Sequence, residues 1–412
     1  MIFLNQPKMG AIKTLLGRTL YPDDAWTREA DGSPSRPQDS ATDTMAEYMG
    51  VCVQPVDRCP VGDFESVKAY EKPVGKLTGE SDIGYLMDGC LNDSYMAVNY
   101  LLNEGVRVQR FYEAVQVGDC TFQPGAFFIP NGEPSFLKKV ASETGVSFHP
   151  LEEEPREERN LVRRPRVGMY QRYWGGNMDE GWTRWVLEQY GFPYSTITDD
   201  DVKKGNLNER FDILIFPDDV TPFITGEKVE EWWMEHRPDW PQPFYPPEYK
   251  SGVGEEGVKA VKGFVEGGGT LITMGSACDF ALEKLELKVK NVLKGLKPRE
   301  FFCPGSTLKA KVDICHPLAF GMPSDPLVFF WDSPVFEVIP STFNEMYKVV
   351  VQYPERDILQ SGWLIGEEKI SQKAAMISAR CVKGKAILIG FRPQHRGQTH
   401  GTFKLLFNCL LS

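Results

Sequence analysis

The strongest constraint on how this chain folds is a unit of strand, helix, glycine and strand that occurs three times. The first copy runs from Ile83-Gly84-Tyr85-Leu86-Met87-Asp88 to Gly105-Val106-Arg107-Val108. The second runs from Gly125-Ala126-Phe127-Phe128-Ile129 to Gly145-Val146-Ser147-Phe148, and the third from Val167-Gly168-Met169-Tyr170 to Gly191-Phe192-Pro193-Tyr194. The glycine pairs Gly84/Gly105, Gly125/Gly145 and Gly168/Gly191 stand 21, 20 and 23 positions apart, the length of one βαβ crossover each. The pattern predicts an α/β architecture and supplies no chemistry of its own.

Around these units the organisation is uneven. Met1–Pro7 reads as a strand that begins abruptly, as though a further segment preceded it, and Lys8–Leu20 as a short helix. Tyr21–Asp43 is a polar loop or linker, and Thr44–Tyr48 is a second short helix leading to a strand at Val51–Val53. Asp57–Ser81 shows little periodicity. The acidic run Glu152–Glu154 with Arg156–Arg159 marks a connector, which predicts an N-terminal α/β region over residues 1–160 and a second domain over 161–412.

The second domain alternates cleanly. Asp212–Phe216 is a continuous apolar run, as expected of a parallel strand covered on both faces. Helix Glu255–Glu266 stops at Gly267-Gly268-Gly269 before strand Thr270–Met274. That glycine run is a helix stop, because no Lys-Ser/Thr follows it and no GxGxxG is present. Beyond Pro304 the pattern turns β-rich, with a hairpin pairing Ala374–Val382 and Ala386–Phe391, and helix Thr402–Leu411 ends the chain. A doubly wound sheet with an antiparallel extension is the expectation.

The net charge of −11 argues against nucleic acid and anionic membranes as partners. No apolar run reaches the ~18 residues of a membrane span. Nine irregularly spaced cysteines without a CxxC pair predict reduced, mostly buried thiols in the cytoplasm, and neither metal nor cofactor is expected.

Particular strings carry a family resemblance. Asn177–Gln189 (NMDEGWTRWVLEQ), Pro247-Glu248-Tyr249 with Gly252–Gly257, Phe301–Ser306, Gly390–Gln394 and His400–Asn408 resemble the C-terminal region of large zinc carboxypeptidase-like proteins. In that family a carboxypeptidase A-type metallopeptidase domain is followed by a module similar to class I glutamine amidotransferases. The resemblance is strongest from Arg166 onward and implies a flavodoxin-like, amidotransferase-like sheet. The zinc-bearing domain has no counterpart here, so a peptidase would require a separately encoded partner.

Three chemistries come under consideration. A zinc site needs HxxE and a distant His. His149-Pro150-Leu151-Glu152 fits the letters, but its proline and acidic neighbours place it on an exposed connector. An amidohydrolase needs Cys or Ser on a strand-to-helix elbow with an aligned base. Gly275-Ser276-Ala277-Cys278-Asp279 sits where that elbow belongs, which makes Ser276 and Cys278 the candidates. No His-x-Glu follows, since His316 stands before Pro317, and the preferred reading makes Ser276 a helix cap and Cys278 core. The third possibility is a binding crevice beyond the strand ends. Arg392, His395 and Arg396 cluster before a helix N-terminus and suit a small anion, or else pair with Asp179, Glu180 or Asp218 to lock loops together.

The aromatic insertion Trp232–Tyr249, with Trp233, Trp240, Phe244 and Tyr245, is a candidate surface for a protein partner or second subunit. The residues favour a non-catalytic accessory module, with a hydrolase as the alternative.

Overall fold

The computed structural model describes residues 1–412 apart from 119, 174–175, 242–245, 247–248, 251, 341–345 and 412. Helix α1 (Met9–Leu16) opens the chain and buries none of its residues. The strands expected at Met1–Pro7 and Val51–Val53 do not form. Both segments are exposed, and a short apolar run without a neighbour to complete its ladder gains nothing by extending. Residues 18–48 lie instead as a strap on the C-terminal half. Arg36 pairs with Asp332 at 2.7 and 3.0 Å, Tyr21 stacks on Trp363, and the Ala41 N–H donates to Pro304 O. Helix α2 (Met45–Tyr48) ends the strap, with Glu47 accepting from Ser361 and Gln360.

The N-terminal sheet is built from β1 (Gly84–Met87), α3 (Asn92–Asn103), β2 (Gln109–Phe111), the hairpin β3 (Val115–Val117) and β4 (Cys120–Phe122), β5 (Phe127–Pro130), α4 (Pro134–Thr144), β6 (Phe148–Pro150) and β7 (Arg159–Leu161). Helix α4 is well framed: Glu133 accepts the Ser135 and Phe136 N–H groups, Pro134 occupies the first turn, and Gly145 closes it left-handed. The strand order is β6-β1-β5-β2-β7, with every neighbour antiparallel. The first two repeats are therefore interlocked split units. The two strands of each run parallel, and a strand of the other lies between them. The residue-160 boundary falls inside β7.

In the third repeat, β8 (Val167–Tyr170) and β9 (Ser195–Ile197) are direct parallel neighbours across α5 (Met178–Gln189). Helices α6 (Asp199–Lys203) and α7 (Leu207–Arg210) lead to β10 (Ile213–Phe216). Then come α8 (Thr221–Thr225), α9 (Val229–His236), α10 (Gly254–Glu266), β11 (Thr270–Met274) and α11 (Ala277–Lys284). The β-rich part comprises β12 (Val289–Asn291), β13 (Pro304–Lys309), β14 (Lys311–Val312), β15 (Leu327–Trp331), β16 (Phe336–Val338), β17 (Tyr347–Gln352), β18 (Leu359–Ser361), β19 (Ala374–Cys381) and β20 (Gly384–Ile389). Helix α12 (Phe403–Leu411) follows.

The parallel core runs β9-β8-β10-β11-β20, and β19 extends it antiparallel through β16 to β12, with β17 and β14 attached. Both faces are covered, which explains the unbroken apolar runs. Ile213, Ile215, Ile272 and Met274 face a core shared with α5, α12 and the N-terminal sheet. Leu214, Phe216 and Leu271 face α10 and α11 through Phe264, Val265 and Phe280.

All nine cysteines are unpaired. Only Cys278, Cys303 and Cys409 are fully buried, so the expectation of mostly buried thiols is corrected: Cys52, Cys59, Cys120 and Cys315 sit on exposed segments.

Candidate functional site

Counted along the chain from β8, the parallel strands lie in the order 2-1-3-4-5, so the winding reverses between β8 and β10. In such sheets the carboxyl ends of the strands at that reversal form the ligand crevice. Asn177 and Asp179 follow β8 there, Asp218 and Asp219 follow β10, Gly275 and Ser276 follow β11, and Arg392 follows β20.

These residues form one network. Asp218 accepts the Ser276 N–H at 2.6 Å through Oδ1 and the Arg392 Nη2 at 2.5 Å through Oδ2. The other terminal nitrogen of Arg392 lies 3.3 Å from Asp179 Oδ2, and its guanidinium sits 5.2 Å from the Trp331 ring centre. Asn177 caps α5 with its side-chain oxygen and donates its amide to Asp218 O at 3.1 Å. Arg172 meets Asp219 Oδ2 at 3.0 Å and lies over Phe223. Gly275 adopts φ +54°, and a Cβ there would stand 2.4 Å from Asp218 Oδ1. The tight turn and the carboxylate contact both require glycine.

Burial dominates the electrostatics. It raises Asp179 to about 6 against the pull of Arg392, and Asp219 to about 7 against Arg172. Glu180 is also raised by burial, with Arg184 3.8 Å away. His395 is lowered to about 3 by burial and by Arg392 and Arg396, so the imidazole is neutral. Its ring stacks on Phe329 at 4.0 Å.

The predicted cationic trio is thus dispersed in role. Arg392 is neutralised within the crevice by Asp218 and Asp179, His395 is an aromatic core element, and Arg396 binds Asp39 of the strap at 2.6 and 2.9 Å. Asp219, beside Asp218 at the end of the same strand, joins the network, and Arg172 and Asn177 complete it without having been singled out as site residues. Asn177 carried a readable mark, standing immediately before a run of helical residues.

Ser276 occupies the elbow, yet its side chain makes no capping bond, which corrects the expected role; its own φ and ψ of −63° and −22° are already helical. Its half-buried hydroxyl lines a cavity of about 370 Å³ together with Asp279, Asn291, Lys294, Arg36 and Asp332. Cys278 is fully buried, and its thiol bonds Thr273 O and Ile389 O. Burial pushes that thiol far above its ordinary range.

All five imidazoles are engaged elsewhere. His149 lies in β6 opposite Leu86 with its ring against Phe122, in a sheet and not on the exposed connector expected for it. His236 stacks on Trp232 and His316 accepts from the Leu318 N–H. His395 is on Phe329, and His400 lies against Phe403. None is hydrogen-bonded to Ser276 or Cys278. Among the described residues no group of three or more His, Cys, Asp and Glu side chains could hold a metal ion. No described helix is long and apolar enough to cross a membrane.

In the Trp232–Tyr249 insertion, the Trp233 indole donates to Trp240 O, and Trp232 packs on Phe223 and His236. Met234, Trp240 and Tyr249 are exposed, whereas Phe244 and Tyr245 lie outside the described residues.

The fold and crevice define a doubly wound α/β domain of the flavodoxin type with an antiparallel edge. No protein-family model matches the chain, and no curated protein matches it. Among solved structures it is similar to a cytoplasmic protein of Salmonella typhimurium, at 12% identity over 60% of this chain and 97% of that one, with a TM-score of 0.35. A protein of Thermoplasma acidophilum named for a GMP synthase component matches at 10% identity over 60% and 94%, with a TM-score of 0.34. A β-galactosidase of Bacillus circulans matches at 8% identity over 60% of this chain and 31% of that one, with a TM-score of 0.33. These likenesses are weak, low in identity and confined to fold.

Proposed function

We propose that this chain is a non-catalytic accessory or interaction module, related to the C-terminal part of zinc carboxypeptidase-like proteins and working in the cytoplasm, where nine unpaired thiols stay reduced. One observation carries the reading: every histidine is committed elsewhere, so the elbow has no imidazole to accept a proton from Ser276 or Cys278. The Ser276 N–H is likewise spent on Asp218. A small anion at Arg392 would have to displace the carboxylate of Asp218 or Asp179. Exposed Met234, Trp240 and Tyr249 offer the insertion as the surface for a protein partner or second subunit.

The alternative, a divergent hydrolase using Ser276, draws on its hydroxyl, which makes no hydrogen bond among the described residues and lines the cavity of about 370 Å³. A fluorophosphonate probe followed by intact-mass analysis separates the two. The accessory reading predicts no adduct after hours at pH 7.5. A stoichiometric adduct that disappears in Ser276→Ala would establish the hydrolase.

A further inference from the structure

Arg110 sits on β2 with only 5% of its surface exposed, and among the described residues no carboxylate lies within ion-pairing distance of it. An arginine keeps its charge, and a buried charge is ordinarily paired. Here the compensation is neutral. Nε donates to Gly125 O at 3.2 Å, and Nη2 donates to the Tyr95 hydroxyl at 2.9 Å and to Asn408 Oδ1 at 2.7 Å. The rings of Tyr95, Phe127 and Phe320 surround the guanidinium at 5.0–5.5 Å. Gly125, at φ +98°, lets its carbonyl approach, since a Cβ there would meet Phe320 at 2.5 Å.

These bonds use Nε and both hydrogens of Nη2. Among the described residues Nη1 makes no hydrogen bond. The side chain opens onto a cavity of about 420 Å³ between the N-terminal sheet and α12. Arg163 and Tyr112 also line it, and among the described residues Arg163 has no ion-pair partner and the Tyr112 hydroxyl no acceptor. The rest of the wall is mixed: the Asn160 amide stands beside the apolar side chains of Leu161, Val162, Pro317, Phe320 and Leu411.

We infer that this cavity binds a small organic carboxylate, its head on Arg110 Nη1 with Arg163 and Tyr112 beside it, and its hydrocarbon part against the apolar side chains of the lining. The free N–H pair of one guanidinium nitrogen suits a carboxylate oxygen. The apolar side chains of the lining favour an organic acid over inorganic phosphate. The site is separate from the Asp218 crevice and stands whether or not that crevice is inert.

The test uses the full chain with butyrate and benzoate as probes, butyramide and benzamide as neutral isosteres, and inorganic phosphate, read by calorimetry and thermal unfolding. Carboxylates are expected to bind and to raise the unfolding temperature, and the amides to do neither. Arg110→Met should abolish binding. Because Arg110 is buried and that variant can lose its fold, Arg163→Ala is the second arm. It should keep the unliganded unfolding temperature and weaken carboxylate binding by about tenfold, as loss of a charge-assisted contact does. Equal binding of amides and carboxylates, or unaltered affinity in Arg163→Ala, would overturn the proposal. So would tighter binding of phosphate. Carboxylate binding that emerges only after the carboxyl end is lengthened would mean that the chain's own terminus is the anion, and would likewise overturn it.

Discussion

Asp218 and Arg392 meet at 2.5 Å across the carboxyl ends of β10 and β20, and the same carboxylate holds the Ser276 N–H. Two loops far apart in sequence are thereby fastened over the elbow. Arg392→Met would leave Asp218 and Asp179 buried without their cation. Breaking a buried pair from one side costs about 3–5 kcal/mol. Chemical denaturation should show a loss of that order. Arg392→Met combined with Asp218→Asn should lose less than the single changes summed, because the carboxylate left stranded is gone.

Gly275→Ala should destabilise by about 1–3 kcal/mol, since the left-handed backbone is strained for alanine and its methyl would collide with the Asp218 carboxylate. The denaturation midpoint measures this. Gly263→Ala, whose Cβ would meet nothing and which lies within α10, is the control and should be neutral or stabilising.

Asp219 titrates near 7 in the fold against 3.8 when free. Between those values the native state holds one proton more than the unfolded state, so its contribution to stability is intact below about pH 4 and falls as pH rises to 7. One such proton amounts to about 1.4 kcal/mol per pH unit. In Asp219→Asn the difference in unfolding free energy from the parent chain should grow in the variant's favour from pH 4 to pH 7 and then level off.

His395 has the opposite sign. Its folded value of about 3 lies below the ordinary 6.5, so stability is complete above pH 6.5 and drains as pH falls toward 3. The ring already stacks on Phe329 and, among the described residues, its side chain makes no hydrogen bond, so His395→Phe should keep the stacking and flatten that acid limb. Urea unfolding at pH 4 and pH 7 measures it, with the gain confined to pH 4.

Much of the fold was legible because periodicity and glycine spacing are local. The bounds of β8, β10, β11 and α10 match their apolar patterns to within about two residues. The interlocking of the first two repeats was not legible. The spacings Gly84/Gly105 and Gly125/Gly145 fit a crossover to an adjacent strand as well as one that skips a place, and strand order depends on partners distant in sequence. The elbow was readable from Gly275 following an apolar strand. Its partner Asp218 lies 58 residues away, so the contact that consumes the Ser276 N–H was not. Arg110 carried a mark that was missed: a charge in the short strand Gln109–Phe111, next to buried Phe111 and Val108.

The central claim is that the elbow is chemically closed, and site-resolved alkylation with iodoacetamide at pH 7.5 tests it most directly. Cys52, Cys59, Cys120 and Cys315 should be modified rapidly in the native protein, whereas Cys278 should react only once denaturant is added. Modification of native Cys278 as fast as of the exposed thiols would contradict the account.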